Sequence, residues 1–225
     1  MANNGQGRDL RTHDFIAEPH EYNPRRIYSK TGTDYWGQVD FDQLRKDRLA
    51  KARERMDEEG LGSMLLFAGE NIRYVTGSYQ GNWKYSIFIR YAVLPKGGDP
   101  VLFETVGSDL IRSEMDMPWL DDVRPAMTWR WAEGATEMMA EKMASGVREV
   151  LEENGVEDEP VGVDAYDQTA YRALQDAGLD LENAWPAISK ARVRKTPDEL
   201  ELLKMSAAYG DGAMWRAMNE WTKPG

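Results

Sequence analysis

The sequence predicts an α/β fold in which a mixed, twisted sheet is flanked by helices. Short apolar runs of strand length alternate with longer amphipathic segments of helical period. A Pro-Lys-Gly-Gly-Asp-Pro stretch at residues 95–100 separates two of the apolar runs, as a hairpin turn would. Strands that alternate with helices indicate a sheet with helices on its faces and exclude a bundle or a sandwich.

The first helix is predicted from Asp40 and ends before Gly60. Its apolar face is formed by four residues: Leu44, Leu49, Ala52 and Met56. Strands are predicted at the apolar runs 63–68, 71–77, 85–94, 101–104 and 160–164, and near Val123. Further helices are predicted over residues 108–116, 136–154 and 168–177 and from Pro197 onward.

Three regions follow from this order of elements. Residues 1–37 have no sustained period and form an N-terminal extension, residues 38–190 form the α/β domain, and residues 191–225 hold a linker and one further helix. The basic stretch 186–195 is interpreted as a solvated connector between domains. Thr196 is the predicted N-cap of the last helix, with Glu199 three residues later as a capping box requires. Since that amphipathic helix has nothing after it to pack against, we expect the chain to stop just inside a second domain.

Composition excludes several partners and compartments. The net charge is −11 and the isoelectric point about 4.8, so phosphate backbones and anionic lipids are repelled and neither nucleic acid nor membrane is an expected partner. The absence of cysteine excludes disulfides and thiolate metal sites and fits a reducing compartment. With no long apolar stretch and no apolar core of a signal peptide, the predicted location is cytoplasmic.

Catalytic constellations are missing from the sequence. His13 and His20 are the two histidines, and their spacing of seven is not the i, i+4 pattern that places two imidazoles on one metal ion. Neither a Gly-x-Ser-x-Gly elbow nor a phosphate-binding loop is present. Paired carboxylates lie at predicted helix ends and turns, where they are solvated. We therefore expect no catalytic residue, no metal site and no cofactor in this chain.

Five segments resemble the creatinase/prolidase ("pita-bread") family in the order that the family has them. They are residues 65–77 with the run NIRYVTG, 96–103 (KGGDPVLF), 161–164 (VGVD), 191–203 (ARVRKTPDELELL) and 223–225 (KPG). The resemblance covers roughly residues 40–225 and places them as the N-terminal domain and the first helix of the catalytic domain. It implies that the parent protein is a metal-dependent hydrolase of the prolidase, aminopeptidase P or creatinase type, and that this chain alone is not an enzyme.

The resemblance also implies cofactors and partners. Metal-dependent members of the family hold two divalent ions with two Asp, one His and two Glu in the catalytic domain, downstream of Gly225 here. The expected partners are that catalytic domain and a second subunit, in a homodimer. Two alternatives stay open. Residues 71–93 also resemble the dimethylsulfoniopropionate lyase branch, and related pseudo-peptidase domains are modules that bind proteins.

One segment of the α/β domain is a candidate for contact with substrate or a partner. In this family the loop and strand after the NIRY motif often reach toward a neighbouring subunit's active site. The candidates on this stretch are Tyr79, Trp83, Tyr85 and Arg90. The alternative is that Trp83 and Tyr85 pack on the domain's own sheet. Trp129 and Trp131 form a second, lower-ranked candidate cluster around Arg130, predicted to be exposed. The alternative is that the helix after it covers both rings.

Overall fold

A six-stranded sheet organises the chain in the computed structural model, which describes residues 39–78 and 87–221. The strands are β1 Ser63–Leu66, β2 Tyr91–Pro95, β3 Val101–Glu104, β4 Val123–Pro125, β5 Val161–Val163 and β6 Leu181–Asn183. The helices are α1 Phe41–Glu58, α2 Gly69–Thr76, α3 Ser108–Asp116, α4 Thr136–Glu153, α5 Gln168–Asp176, α6 Trp185–Val193 and α7 Pro197–Arg216, followed by a π-helical segment Ala217–Trp221.

The strand order is β4-β3-β2-β1-β5-β6. Strand β2 runs antiparallel to both of its neighbours, whereas β3–β4, β1–β5 and β5–β6 are parallel pairs. The sheet is therefore mixed, with β1 near its centre. The predicted α/β class with a mixed sheet is confirmed.

Helices cover both faces of the sheet. Because side chains alternate along each strand, successive residues of a strand face opposite layers. Leu65 of β1 and the following Phe67 face one layer, which the apolar sides of α4 and α5 complete. Met64 and Leu66 face the other layer, with residues of α1, α2 and α6. The central strands are apolar on both faces, as expected for a sheet buried between two layers.

For three helices, the bounds predicted from local sequence patterns agree closely with those of the structure. The predicted helix 108–116 is α3, 136–154 is α4 to within one residue, and 168–177 is α5 to within one residue. The predicted capping box on α7 is also confirmed: Thr196 Oγ1 accepts from the Glu199 N–H (3.2 Å), and the Thr196 N–H donates to Glu199 Oε2 (3.0 Å). These features depend only on residues that are close in sequence.

The strand predicted at residues 71–77 is wrong, because these residues belong to helix α2. The run NIRYVT is rich in β-branched and aromatic residues, but most of it is buried, so the helical period is hidden. Gly77 ends the helix with φ 66°, and its N–H donates to the Arg73 carbonyl (2.9 Å). A Cβ at Gly77 would lie 2.7 Å from Arg45 Cδ, so glycine is required there for space as well as for conformation.

The strand predicted over residues 85–94 is shorter in the structure. Within the described residues, β2 begins only at Tyr91, and 87–90 form a turn. Phe88 has φ 72°, in the left-handed region that bulky residues avoid, and this breaks the extended run. The aromatic and β-branched composition of this stretch concealed the turn.

The solvated connector predicted at 186–195 is largely wrong as well. Residues 185–193 form α6, which buries Ala187, Ile188 and Ala191 in the core. The basic residues of this stretch lie on the other faces of α6, and their charge makes the sequence resemble a solvated connector. Irregular chain begins only at Arg194, which is extended and exposed.

The described residues fall into two compact units. The larger contains residues 45–194, and the smaller contains 39–44 together with 195–221. Within the smaller unit, Asp40 accepts from the N–H of Gln43 (2.9 Å) at the start of α1, and its own N–H donates to Asp198 Oδ1 (2.9 Å). We propose that the boundary between the α/β domain and the following domain lies near residue 191. The predicted extension, residues 1–37, lies outside the described ranges.

No helix within residues 39–78 or 87–221 combines the length and the apolar content that a membrane crossing needs.

Within the described residues, limited trypsin digestion should cut early after Arg194 or Lys195. Both residues are exposed between α6 and α7, whereas Arg192 lies in α6 and its guanidinium donates to Asn71. Lys142, which is exposed in the middle of α4, is the matched control and should be cut much later. Mass spectrometry of early fragments identifies the order, and equal early cleavage at Lys142 and Lys195 would contradict the proposed boundary.

Candidate functional site: a buried carboxylate network

Two of the segments that carry the family resemblance meet at the carboxylate of Asp164, and a third is joined to them through Asn71. Asp164 follows β5 directly and is 5% exposed. Its Oδ1 accepts from the Phe67 N–H (2.7 Å), and its Oδ2 accepts from the Ala68 N–H (3.1 Å) and from Asn71 Nδ2 (2.9 Å). The carboxylate therefore holds the chain between β1 and α2 against the end of β5.

Asn71 passes this connection on to α6. Its Oδ1 accepts from Arg192 Nη1 at 2.9 Å. Because a carboxylate only accepts and a guanidinium only donates, these two partners determine the orientation of the Asn71 amide. The network joins β5, α2 and the last turn of α6, immediately before the chain leaves the larger unit.

The network lies at the topological switch point of the sheet. From β1 the chain goes to β2, β3 and β4 on one side, and β5 and β6 lie on the other side. In open α/β sheets, the crevice at the carboxyl ends of the two strands beside such a point is where ligands commonly bind. Here the Asp164 side chain occupies that crevice and accepts hydrogen bonds from the N–H groups of Phe67 and Ala68.

Burial raises the pKa of the Asp164 carboxyl group above its ordinary value. The hydrogen bonds from Phe67, Asn71 and Ala68 act in the opposite direction, and the Glu70 carboxylate adds to the rise. A buried carboxylate that accepts three hydrogen bonds is a stabilised structural group. The donors that hold it all belong to the domain itself, which gives the carboxylate a structural role.

Arg90 was predicted to face substrate or a partner, but it lies in the interior of the larger unit. It is 2% exposed, and its Nε lies 2.8 Å from Oε2 of the buried Glu104. Ser113 Oγ also donates to Glu104 Oε2 (3.1 Å), and the Thr105 N–H donates to Glu104 Oε1 (2.9 Å). Burial raises the pKa of Glu104, which the Arg90 charge opposes. The pair is part of the core beside β2 and β3.

The other three predicted contact residues, Tyr79, Trp83 and Tyr85, lie outside the described ranges. The second predicted aromatic cluster is divided in the structure. Trp129 is 1% exposed, and its Nε1 donates to Asp167 Oδ2 (2.9 Å), so its predicted exposure is wrong. Trp131 is 72% exposed, as predicted.

Trp129 is buried because it belongs to an aromatic cluster around Phe88. The Phe88 ring centroid lies 5.5 Å from that of Trp129 and 5.2 Å from that of Phe67. Edge-on and tilted pairs at these distances are favourable. The cluster offsets the backbone strain at Phe88 and fixes the chain at this residue in the core.

Within the described part of the chain, no group of three or more His, Asp or Glu side chains could hold a metal ion. His13 and His20 lie outside those residues.

Sequence reasoning used the segments around Asn71, Asp164 and Arg192 only for the resemblance and did not bring them together. The available signal was a polar residue directly after a fully buried strand, which is where the side chains at the end of a parallel strand project into a crevice.

Replacing Asp164 by Ala should lower the free energy of unfolding by at least about 2 kcal/mol. The substitution leaves the buried Phe67 N–H and the Asn71 amide without an acceptor, and each buried donor left unsatisfied costs about 1–3 kcal/mol. Urea denaturation at neutral pH measures the change. Asp158→Ala, which removes an exposed carboxylate, is the matched control and should stay within about 0.5 kcal/mol of the parent. A loss for Asp164→Ala no larger than the control's would refute the stabilising role of the network.

Comparison with known proteins gives the family. The family model described as the creatinase/prolidase N-terminal domain matches residues 48–193. No curated protein matches the sequence.

Three solved structures share the fold at low sequence identity. An Xaa-Pro dipeptidase from Bacillus anthracis is 15% identical with a TM-score of 0.56, the match covering 80% of this chain and 44% of that one. A dipeptidase from Pyrococcus horikoshii OT3 is 18% identical with a TM-score of 0.53, covering 76% and 43%. The dipeptidase PepE from Mycobacterium ulcerans is 20% identical with a TM-score of 0.52, covering 78% and 43%.

The chain thus spans less than half the length of these three dipeptidases. The family match covers nearly the whole larger unit, including Asn71, Asp164 and Arg192 of the network. The chain belongs to the creatinase/prolidase N-terminal domain family.

Proposed function

We propose that this chain is the non-catalytic N-terminal domain of a metal-dependent Xaa-Pro peptidase or creatinase-like hydrolase, and that it supplies oligomer contacts and active-site walls. The observation that carries the proposal is the family match over residues 48–193, in a chain that spans 43–44% of the three dipeptidases. The remainder of such a protein would hold the catalytic domain and its pair of divalent ions.

The chemistry of the described residues supports a non-catalytic role. The two buried carboxyl groups with raised pKa values, Asp164 and Glu104, are both held by hydrogen bonds from the domain itself. A catalytic acid or base needs a face turned toward substrate. Both groups instead hold elements of the fold together, so the reaction would depend on residues outside this domain.

The proposed active-site wall is the segment that contains Tyr79, Trp83 and Tyr85. The described residues on either side of it are anchored in the core. Ser78 is buried, with its N–H donating to Thr76 Oγ1 (3.1 Å), and Phe88 is held by its aromatic cluster. Binding residues are commonly carried on connections positioned by a rigid scaffold. Anchored ends of this kind support a role in which the segment's side chains face substrate in a neighbouring subunit.

The alternatives from the sequence lead to different outcomes in one set of assays. A peptidase parent would cleave Xaa-Pro dipeptides with a divalent metal, and a lyase parent would eliminate dimethyl sulfide from dimethylsulfoniopropionate. A pseudo-peptidase binding module would do neither. The solved relatives named above are dipeptidases, which favours the peptidase among the three.

The chain alone should show no turnover of Xaa-Pro dipeptides, creatine or dimethylsulfoniopropionate with Mn²⁺, Co²⁺ or Zn²⁺. The protein extended beyond Gly225 to include the catalytic domain should cleave Xaa-Pro dipeptides, with loss of activity on chelation and recovery on metal addition. Turnover is measured by release of proline from the dipeptides, of sarcosine from creatine and of dimethyl sulfide from dimethylsulfoniopropionate. Metal-dependent activity of the chain alone that survives the double substitution His13→Ala/His20→Ala would contradict the proposal.

Trp83→Ala in the extended protein should lower turnover by about ten- to two-hundredfold, the effect of losing a contact that positions substrate. Its thermal midpoint should change little, whereas loss of a buried core indole would cost about 3–5 kcal/mol of stability. Trp131→Ala removes an exposed indole elsewhere and is the matched control, with turnover and midpoint both unchanged. A Trp83→Ala variant that loses stability and keeps its turnover would place the indole in the core.

A further inference from the structure

A cleft of about 450 Å³ opens at the carboxyl ends of β5 and β6, within the larger unit. Its walls come from the β5–α5 connection, from α5 and from the end of β6 with the start of α6. The cleft is on the sheet edge where open α/β folds place their ligands. The neighbouring crevice between β1 and β5 is filled by the Asp164 network, so this cleft is open space on the same edge.

Three aromatic side chains line the cleft. Tyr166 is 52% exposed and Trp185 is 42% exposed, and the rings of Tyr166 and Tyr171 lie 5.1 Å apart. Tyr171 is fixed on α5, because its hydroxyl accepts from Gln175 Nε2 at 2.9 Å. The cleft therefore presents aromatic surface to solvent on two sides.

The polar residues of the cleft are acidic or neutral. Glu182 and Asp164 supply carboxylates and Asn183 supplies an amide, and the lining contains no Lys, Arg or His. Glu182 is exposed at the mouth, whereas Asp164 lies at the inner end. The local charge therefore favours a cation.

Two helices begin at this edge, and a helix N-terminus by itself attracts anions. Here one donor at each helix start already has a side-chain acceptor. Asp167 accepts from the Ala170 N–H (2.9 Å) at the start of α5, and Asn183 Oδ1 accepts from the Trp185 N–H (3.0 Å) at the start of α6. Pro186, next in α6, has no N–H. Against this reduced attraction for anions stand the exposed Glu182 carboxylate and the aromatic ring faces.

We propose that this cleft is a binding site for an organic cation that carries a methylated ammonium group. The faces of aromatic rings attract cations, and quaternary ammonium groups are bound in this way because their methyl groups also make apolar contact. The Glu182 carboxylate adds attraction at the mouth, and the volume is within the roughly 300–1,000 Å³ of small-molecule sites. The proposal uses none of the residues of the proposed active-site wall and does not depend on the hydrolase proposal.

The test is a titration of the 225-residue chain with choline and with its uncharged carbon isostere dimethylbutanol, followed by aromatic NMR shifts. Choline should bind saturably and shift tyrosine and tryptophan resonances. Dimethylbutanol should bind about two- to thirtyfold more weakly, which is the range expected for loss of a cation–aromatic interaction. Equal affinity for the two compounds, or no saturable choline binding, would overturn the proposal.

Variants locate the site on the chain. Tyr166→Ala and Trp185→Ala should each weaken choline binding by about two- to thirtyfold, and Tyr166→Phe, which keeps the ring, should retain it. Glu182→Gln should weaken choline binding and leave that of dimethylbutanol unchanged. The control Trp131→Ala, outside the cleft, should have no effect.

The two substituted aromatic residues, Tyr166 and Trp185, are exposed, so their variants should fold, and thermal midpoints check this. Loss of choline binding in Trp131→Ala, or its retention in both Tyr166→Ala and Trp185→Ala, would contradict the assignment.

Discussion

The hydrogen bonds to the Asp164 carboxylate are the constraint on which the larger unit depends. At the switch point the chain diverges from β1 to one side and from β5 to the other, and the backbone donors of Phe67 and Ala68 are left at the crevice between them. A buried N–H without an acceptor is costly, and the carboxylate supplies the acceptor for both. Through Asn71 it also sets α2 and holds the end of α6 by way of Arg192.

This use of buried charge determines where function can lie. In many α/β proteins the switch-point crevice holds a ligand, but here it holds a side chain of the protein itself. Glu104 and Arg90 are likewise committed to the core. Among the described residues, the aromatic cleft at the ends of β5 and β6 stays open for recognition. It lies at the carboxyl edge of the sheet, beside the buried groups that hold the fold together.

The sequence predicted what local spacing encodes and missed what distant contacts decide. The helices α3, α4 and α5 and the capping box at Thr196 follow from residues a few positions apart. Helix α2 was mistaken for a strand because burial on most sides hides its period, although Gly77 was a usable stop signal. The carboxylate network joins Asp164 to Asn71 across 93 residues and Asn71 to Arg192 across 121. No periodic pattern connects such positions, so only the folded sheet brings them together.

Amide hydrogen exchange at Phe67 tests the central role of Asp164 most directly. The Phe67 N–H donates to Asp164 Oδ1 at 2.7 Å, so in the parent chain it should exchange as slowly as the amides of β1. In Asp164→Ala, the Phe67 and Ala68 amides should exchange at least about tenfold faster relative to the α4 amides, which lie away from the network. Unchanged protection of Phe67 in that variant would show that the crevice closes without the carboxylate and would contradict the account.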